Sequence, residues 1–204
     1  MNLLNKIKKG VIHVGGNLGQ ASKSYGNLNV LWVEPIPNVF KKLEDNIKPY
    51  PSQKALNYLI SVTDDKEYNF NVSNQSARSS FLPFTTHHFS DVKFQHIETL
   101  TLRSIRMDTL IKKHKINLND YDALVTDCQG ADYFVLNSFG ELINHFSYIK
   151  SEVMISEIYK GLVNEEYINK FLKSKGFNLI SDFPYRLRNT QRDNIYRNDK
   201  PPRQ

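Results

Sequence analysis

The sequence predicts an α/β domain built on a mainly parallel sheet, and three observations predict it. Apolar runs of four to six residues recur along the chain, and segments of helical period separate them. A Gly-rich turn follows the first run, and a carboxylate closes the second. Buried parallel strands are short and continuously apolar, so they alternate with amphipathic helices in this way.

The first strand is expected at 11–14 and ends in the turn Gly15-Gly16-Asn17-Leu18-Gly19. The second is expected at 29–33. Pro35 stops it and aims Glu34 into the crevice at the carboxyl ends of the strands. From Pro37 to Ile47, Val39, Phe40, Leu43 and Ile47 share one helical stripe. A third strand at 56–61 leads to Asp64 and Asp65. The rhythm then breaks: between residues 66 and 108, Tyr68, Phe70 and Val72 alternate, a polar Ser/Asn/Gln loop follows, and Ile97 to Ile105 alternates again. This region reads as a hairpin inserted into the α/β frame. Its connection, Ser73 to Gln95, with His87, His88 and His96 in or beside it, is either a lid or a disordered stretch. The frame resumes with a strand at 122–127 that carries Asp127 at its mouth. A helix follows from Ala131 to Leu142, with Val135, Leu136, Phe139 and Leu142 on one stripe. Strands at 148–155, 178–181 and 193–197 complete seven, with helices on both faces.

The spacing from Gly15 to Glu34 is that of a ribose site. Glycines where a strand turns into a helix let a ligand approach the backbone, and an acid about 20 residues on, at the next strand's end, can accept ribose hydroxyls. A dinucleotide would require glycine where Asn17 and Gln20 stand, and no window supplies the G-x-x-x-x-G-K-[ST] loop of a nucleoside triphosphate site. S-adenosyl-L-methionine, with a ribose and no phosphate, fits what is left.

At these residues the chain resembles the FkbM-type S-adenosylmethionine-dependent methyltransferases, from about Val11 to Phe177. His13-Val14-Gly15-Gly16-Asn17-Leu18-Gly19 is similar to that family's Asp-Val-Gly-Ala-Asn-x-Gly. Glu34-Pro35-Ile36-Pro37 with Leu43 and Asn46 is similar to its Glu-Pro-x-Pro element, and Asn74-Gln75-Ser76 with Ser79-Ser80 to its serine-rich loop. Arg106-Met107-Asp108-Thr109-Leu110, Asp127-Cys128-Gln129-Gly130-Ala131-Asp132, and Ser151-Glu152-Val153 with Tyr159 and Gly161 follow in the family's order. The resemblance implies a Rossmann-like methyltransferase fold. It also implies a cofactor site of His13, Gly15, Asn17, Gly19, Glu34, Asp64 and Asp127, and Asp127 and Glu152 as candidates to orient the acceptor or take its proton. Two positions depart from the family: His13 replaces an acid expected near the cofactor's ammonium group, and Asp132 replaces a glutamate. At Asp64 an ordinary acidic turn competes with adenine recognition. His87 and His88 could serve as a base or lie in solvent. No histidine and acid set has regular metal-ligand spacing.

With 204 residues and no Pro/Gly/Ser-rich linker, the chain reads as one domain, 1–204, with a tail expected to fray over 198–204. Neither a membrane-spanning run nor a signal peptide is evident, and Cys128 is a lone cysteine, so the expected location is cytoplasmic. Of the formal charge of +6, Arg186 to Arg203 carries six basic residues against Asp193 and Asp199, a net +4. Such a segment is more often a solvated edge than a nucleic-acid groove. The expected partner is a small-molecule or glycan acceptor, and the expected reaction is O-methylation of a sugar or natural-product-like hydroxyl. The competing reading is a catalytically degenerate nucleoside- or glycan-binding protein of the same fold. An RNA ribose methyltransferase would call for a Lys-Asp-Lys-Glu set that these strand ends do not supply.

Overall fold

A computed structural model describes residues 3–85, 95–155, 157, 159–184 and 191–200. Its main sheet contains β1 (Gly10–Val14), β2 (Asn29–Val33), β3 (Gln53–Leu56), β7 (Ala123–Thr126), β8 (Tyr148–Met154), β9 (Phe177–Pro184) and β10 (Gln191–Asn198), in the order β3-β2-β1-β7-β8-β10-β9. The first five of these are parallel, while β10 runs antiparallel to both β8 and β9. The order reverses between β1 and β7. There the crossovers leave in opposite directions and the strand ends open a crevice.

Alternation along the strands decides what each face buries. Ile12, Val14, Leu31, Val33, Ile149 and Val153 pack under α3 (Met107–Lys113), α4 (Asp132–Ser138) and α5 (Glu165–Ser174). On the other face Val11, Val30, Trp32, Val125 and Ile195 pack with Leu3, with Tyr25 of α1 (Ser22–Tyr25), and with Leu43 and Ile47 of α2 (Pro37–Ile47). Helices therefore cover both faces, as the sequence predicts.

The inserted region is a hairpin of β5 (Glu67–Ser73) and β6 (His96–Ile105), whose strands pair antiparallel. The short β4 (Leu59–Ile60) joins it in a second sheet of order β4-β6-β5. Phe70 and Val72 turn inward to meet Leu59, Phe81, Leu82, Met154 and Tyr159, a third cluster that also reaches Ile36 and Ala131 just beyond β2 and β7. The insert thus sits over the carboxyl ends of the parallel strands.

Three expectations are corrected. The strand expected at 56–61 is two separate elements: Gln53–Leu56 completes the main sheet, and Leu59–Ile60 leaves it for the second. Asn57 marks the break, its amide donating to the carbonyls of Glu34 and Pro35. The helix expected from Ala131 to Leu142 ends at Ser138 and tightens into a 3-10 turn over Gly140–His145, with Gly140 at φ +56°. Asn198, placed in the fraying tail, is buried in β10 and donates to the carbonyls of Asn144 and Phe146. Among the described residues no helix is long and apolar enough to cross a membrane.

Candidate active site

The crevice begins where β1 ends. Gly15 has φ +85°, and a Cβ on it would lie 2.0 Å from the Asp127 carbonyl oxygen, so the turns after β1 and β7 can meet only at glycine. The amides of Gly15 and Gly16 both donate to the Val33 carbonyl at 3.0 Å. This geometry delivers Asn17, itself at φ +42°, to Glu34: the Asn17 amide donates to Glu34 Oε2 at 2.8 Å, and the Ile36 amide donates to Oε1 at 2.9 Å. Burial raises the Glu34 pKa to about 7 against the opposing pull of these two donors. A carboxylate has about four acceptor positions, so two remain for hydroxyl donors.

Gly15, Asn17, Glu34 and Asp127 line one cleft together with Tyr58, Leu59, Ile60, Ala131 and Val135. Its polar rim and apolar slot suit a nucleoside. Ser76, Ala77, Ser79 and Phe81 of the insert close over it and reduce its free volume to about 60 Å³. Ligand pockets ordinarily measure roughly 300–1,000 Å³, so the cleft is narrow beneath the insert.

Asp127, just past the end of β7, and Glu152, near the end of β8, come together at Gln129. Gln129 Nε2 lies 2.8 Å from Asp127 Oδ1 and 2.8 Å from Glu152 Oε2, and Gln191 Nε2 donates to Glu152 Oε1 at 2.7 Å. Asp127 is exposed at the rim of the recess, and Glu152 is buried behind it. Desolvation first, and then the neighbouring carboxylates, raise the pKa of the buried Glu152 well above its ordinary value. Of the two residues expected to do chemistry, only Asp127 faces open space. Asp132 is buried, and its carboxyl accepts from the Cys128 amide at 3.3 and 3.4 Å, which closes the turn that presents Gln129.

Three expected cofactor residues lie elsewhere. His13 points to the face opposite Ile12 and Val14, stacks on Trp32 at 4.6 Å between ring centroids, and shares a 3.0 Å hydrogen bond with the Tyr25 hydroxyl. Strand parity puts it there, because the side chain before the turn that faces the cleft is Val14. Asp64 accepts from the Arg106 amide at 2.7 Å and from the Thr109 hydroxyl at 2.8 Å, fastening the start of α3 instead of lining the cleft. Gly19, at φ +69°, serves packing: a Cβ would come within 2.7 Å of Leu43 on α2. His87 and His88 lie outside the described residues, and His96 is exposed on β6. No group of three His, Cys, Asp or Glu side chains among the described residues could hold a metal ion. Sequence reasoning gave no site role to Gln129, Tyr159, Ser76 or Gln191, although the first three stand in motifs that carry the family resemblance and Gln191 in none.

The family profile described as methyltransferase FkbM domain matches residues 13–179. No curated protein matches the chain significantly. Among solved structures, the chain is similar to Aeropyrum pernix fibrillarin in complex with natively bound S-adenosyl-L-methionine. That match has a TM-score of 0.53 and 12% identity, and it covers 92% of this chain and 66% of that one, just under two thirds of the relative's length. The chain is also similar to magnesium protoporphyrin IX methyltransferase (ChlM) from Synechocystis PCC 6803 with bound SAH. Here the TM-score is 0.50 with 9% identity, over 94% of this chain and 74% of that one. Likeness at such low identity is a likeness of fold, the Rossmann-like sheet that the sequence predicts.

Proposed function

The chain belongs to the FkbM methyltransferase family, and on that premise we propose that it moves a methyl group from S-adenosyl-L-methionine to an oxygen, a hydroxyl of a sugar or natural-product-like acceptor. The observation that carries this reading is the buried carboxylate of Glu34 at the end of β2, in one cleft with Gly15, Asn17 and Asp127. The donor set fits the cofactor: Glu34 keeps acceptor positions for two ribose hydroxyls, and Tyr58, Leu59, Ile60 and Val135 offer an apolar slot for a base.

When bound, the cofactor supplies an electrophilic sulfonium methyl. The protein's part is to position the acceptor, exclude water and take one proton. Asp127 is the catalytic candidate, since its carboxylate is exposed beside the cleft at the mouth of β7. Glu152 touches no open space and acts through its neighbours as a positioning residue. Ser76, Ser79 and Phe81 cover the cleft and keep water out.

One ground for a degenerate binding protein is His13 in place of an acid. With His13 on the opposite face of the sheet, its chemistry gives no argument against cofactor binding. Calorimetric titration with S-adenosylmethionine tests the first half of the reading. Formation of S-adenosylhomocysteine with a panel of hydroxylated acceptors tests the second. Binding without product across sugars and polyketide-like alcohols would favour the degenerate protein.

A further inference from the structure

We propose that Gln129 is the positioning residue of the reacting centre: its side-chain amide fixes the separation and orientation of Asp127 and Glu152, and Tyr159 locks that amide in place. The proposal rests on the reading of Asp127 as the group beside the acceptor.

Three features of the amide support it. Gln129 stands at φ +51°, a left-handed conformation uncommon for a residue with a side chain, and Gly130 follows at φ +84°. The pair of residues turns the chain back on itself, so the Gln129 side chain falls across the ends of β7 and β8. Its Nε2 then has two hydrogens and two carboxyls to meet, one at 2.8 Å on each side. Turned over, the amide would set its oxygen against two acidic oxygens, so its orientation is decided by charge. Finally, its Oε1 accepts from the Tyr159 hydroxyl at 3.0 Å.

Tyr159 is in turn held by the insert. Its hydroxyl also lies 3.2 Å from the Arg78 carbonyl, its backbone forms an antiparallel bridge with Phe84, and the Lys160 amide donates to the Pro83 carbonyl. The Ser80 hydroxyl donates to the Gln129 carbonyl at 3.0 Å. The insert thus grips Gln129 by main chain and side chain while it covers the cleft, and the carboxyl pair is assembled when the cleft is shut. The charged groups facing the pair are Lys150, paired with Asp193 at 2.8 Å across β8 and β10, and Asp132 at the start of α4. Gln129 does not contact the Lys150–Asp193 pair, so removing its amide leaves that background in place.

The test is carbon-13 NMR of the full chain with labelled Asp and Glu carboxyls, titrating Asp127 and Glu152 in wild type, Gln129→Met and Tyr159→Phe, with thermal melts as the folding control. Two interacting carboxyls titrate in two macroscopic steps. Gln129→Met removes a donor from both ionised forms, so both steps move up by about one pH unit or more. Tyr159→Phe leaves the amide in place but unlocked, and the steps move the same way by less. Steps within about 0.3 pH unit of wild type in a folded Gln129→Met protein would overturn the proposal. If that variant does not fold, unchanged steps in Tyr159→Phe overturn it equally. S-adenosylmethionine titration of the same wild-type sample separates the two readings. No binding with the NMR shifts present sinks the methyltransferase reading and leaves the amide's hold on the pair supported.

Discussion

Ser76 Oγ donates to Asn17 Oδ1 at 2.7 Å, which ties the segment between β5 and β6 directly to the turn after β1. The same Asn17 donates its amide to Glu34, so one residue both braces the buried carboxylate and ties down the segment above it. With a free volume of about 60 Å³ beneath, the insert is expected to lift when a cofactor binds. Ser76→Ala removes the latch and leaves the lining otherwise intact. A single hydrogen bond of net worth about 0.5–1.5 kcal/mol corresponds to association and dissociation rates faster by roughly 2- to 10-fold. Stopped-flow binding of S-adenosylmethionine measures both. Unchanged rates would mean that the insert does not gate the cleft.

Glu34 gives the second prediction. Glu34→Ala removes two charge-assisted hydrogen bonds and weakens cofactor binding by about a hundredfold or more. In the wild type the effect also depends on pH. A carboxyl raised from 4.5 to about 7 in the fold is protonated there over a range where the unfolded chain is ionised, so its contribution to stability is fully present below 4.5 and is lost as pH rises through 7. Cofactor binding runs the other way, because the ionised form is the better acceptor of hydroxyl hydrogens. Affinity for S-adenosylmethionine therefore falls by up to about tenfold per pH unit below 7, with proton release on binding near pH 6. Calorimetry in two buffers of different ionisation enthalpy reads that release. A dissociation constant flat from pH 5.5 to 8 would contradict it.

The third prediction concerns Gln53, which is buried on β3 with its amide fully used. Its Oε1 accepts from Trp32 Nε1 at 3.0 Å, and its Nε2 donates to the carbonyls of Ser22 at 2.9 Å and Gly26 at 3.1 Å. Its amide links β2, β3 and α1. Gln53→Leu strands Trp32 Nε1 and the Gly26 carbonyl in an apolar setting, while the Ser22 carbonyl keeps the Gly26 amide, and costs about 2–4 kcal/mol, seen as a lower urea midpoint at unchanged slope. A loss below about 0.5 kcal/mol would mean that water replaces the amide without penalty.

Gln53 also shows where the sequence could be read and where it could not. The strand at 29–33 and the helix at 37–47 were legible to the residue, because a continuous apolar run and a proline-started stripe are local signals. β3 was misplaced because its buried residue is polar, while the more apolar Leu59-Ile60 belongs to another sheet. The site divides in the same way. Gly15, Asn17 and Glu34 announce themselves by spacing along adjoining strands. Ser76 and Asn17 meet across 59 residues, and Tyr159 and Gln129 across 30, in contacts between loops that no periodicity describes. Parity was available for His13: flanked by Ile12 and Val14, it had to face the side they leave, whichever family motif it stood in.

That placement sets the last prediction. Burial, assisted by the charge of Lys150, depresses the His13 pKa from 6.5 to about 3, so the ring is neutral in the folded protein and protonates in the unfolded chain first. The sign follows from proton counting: with more protons bound to the unfolded state, His13's contribution is fully present above 6.5 and is lost as pH falls towards 3. Between pH 7 and pH 5 the loss is about 2 kcal/mol. His13→Phe keeps a ring on Trp32 and removes the titrating group, at a pH-independent cost for the lost Tyr25 hydrogen bond. Wild type should therefore lose about 2 kcal/mol more than the variant over that range, measured by urea denaturation of both at pH 7 and pH 5. His13→Asp would instead bury a carboxylate beside Tyr25 and Trp32 and lower the melting temperature, with no gain in cofactor affinity, since the side chain lies across the sheet from Glu34. Tighter S-adenosylmethionine binding by His13→Asp would show that position 13 reaches the cleft after all, and equal pH dependence in wild type and His13→Phe would show that the histidine is not held neutral by the fold.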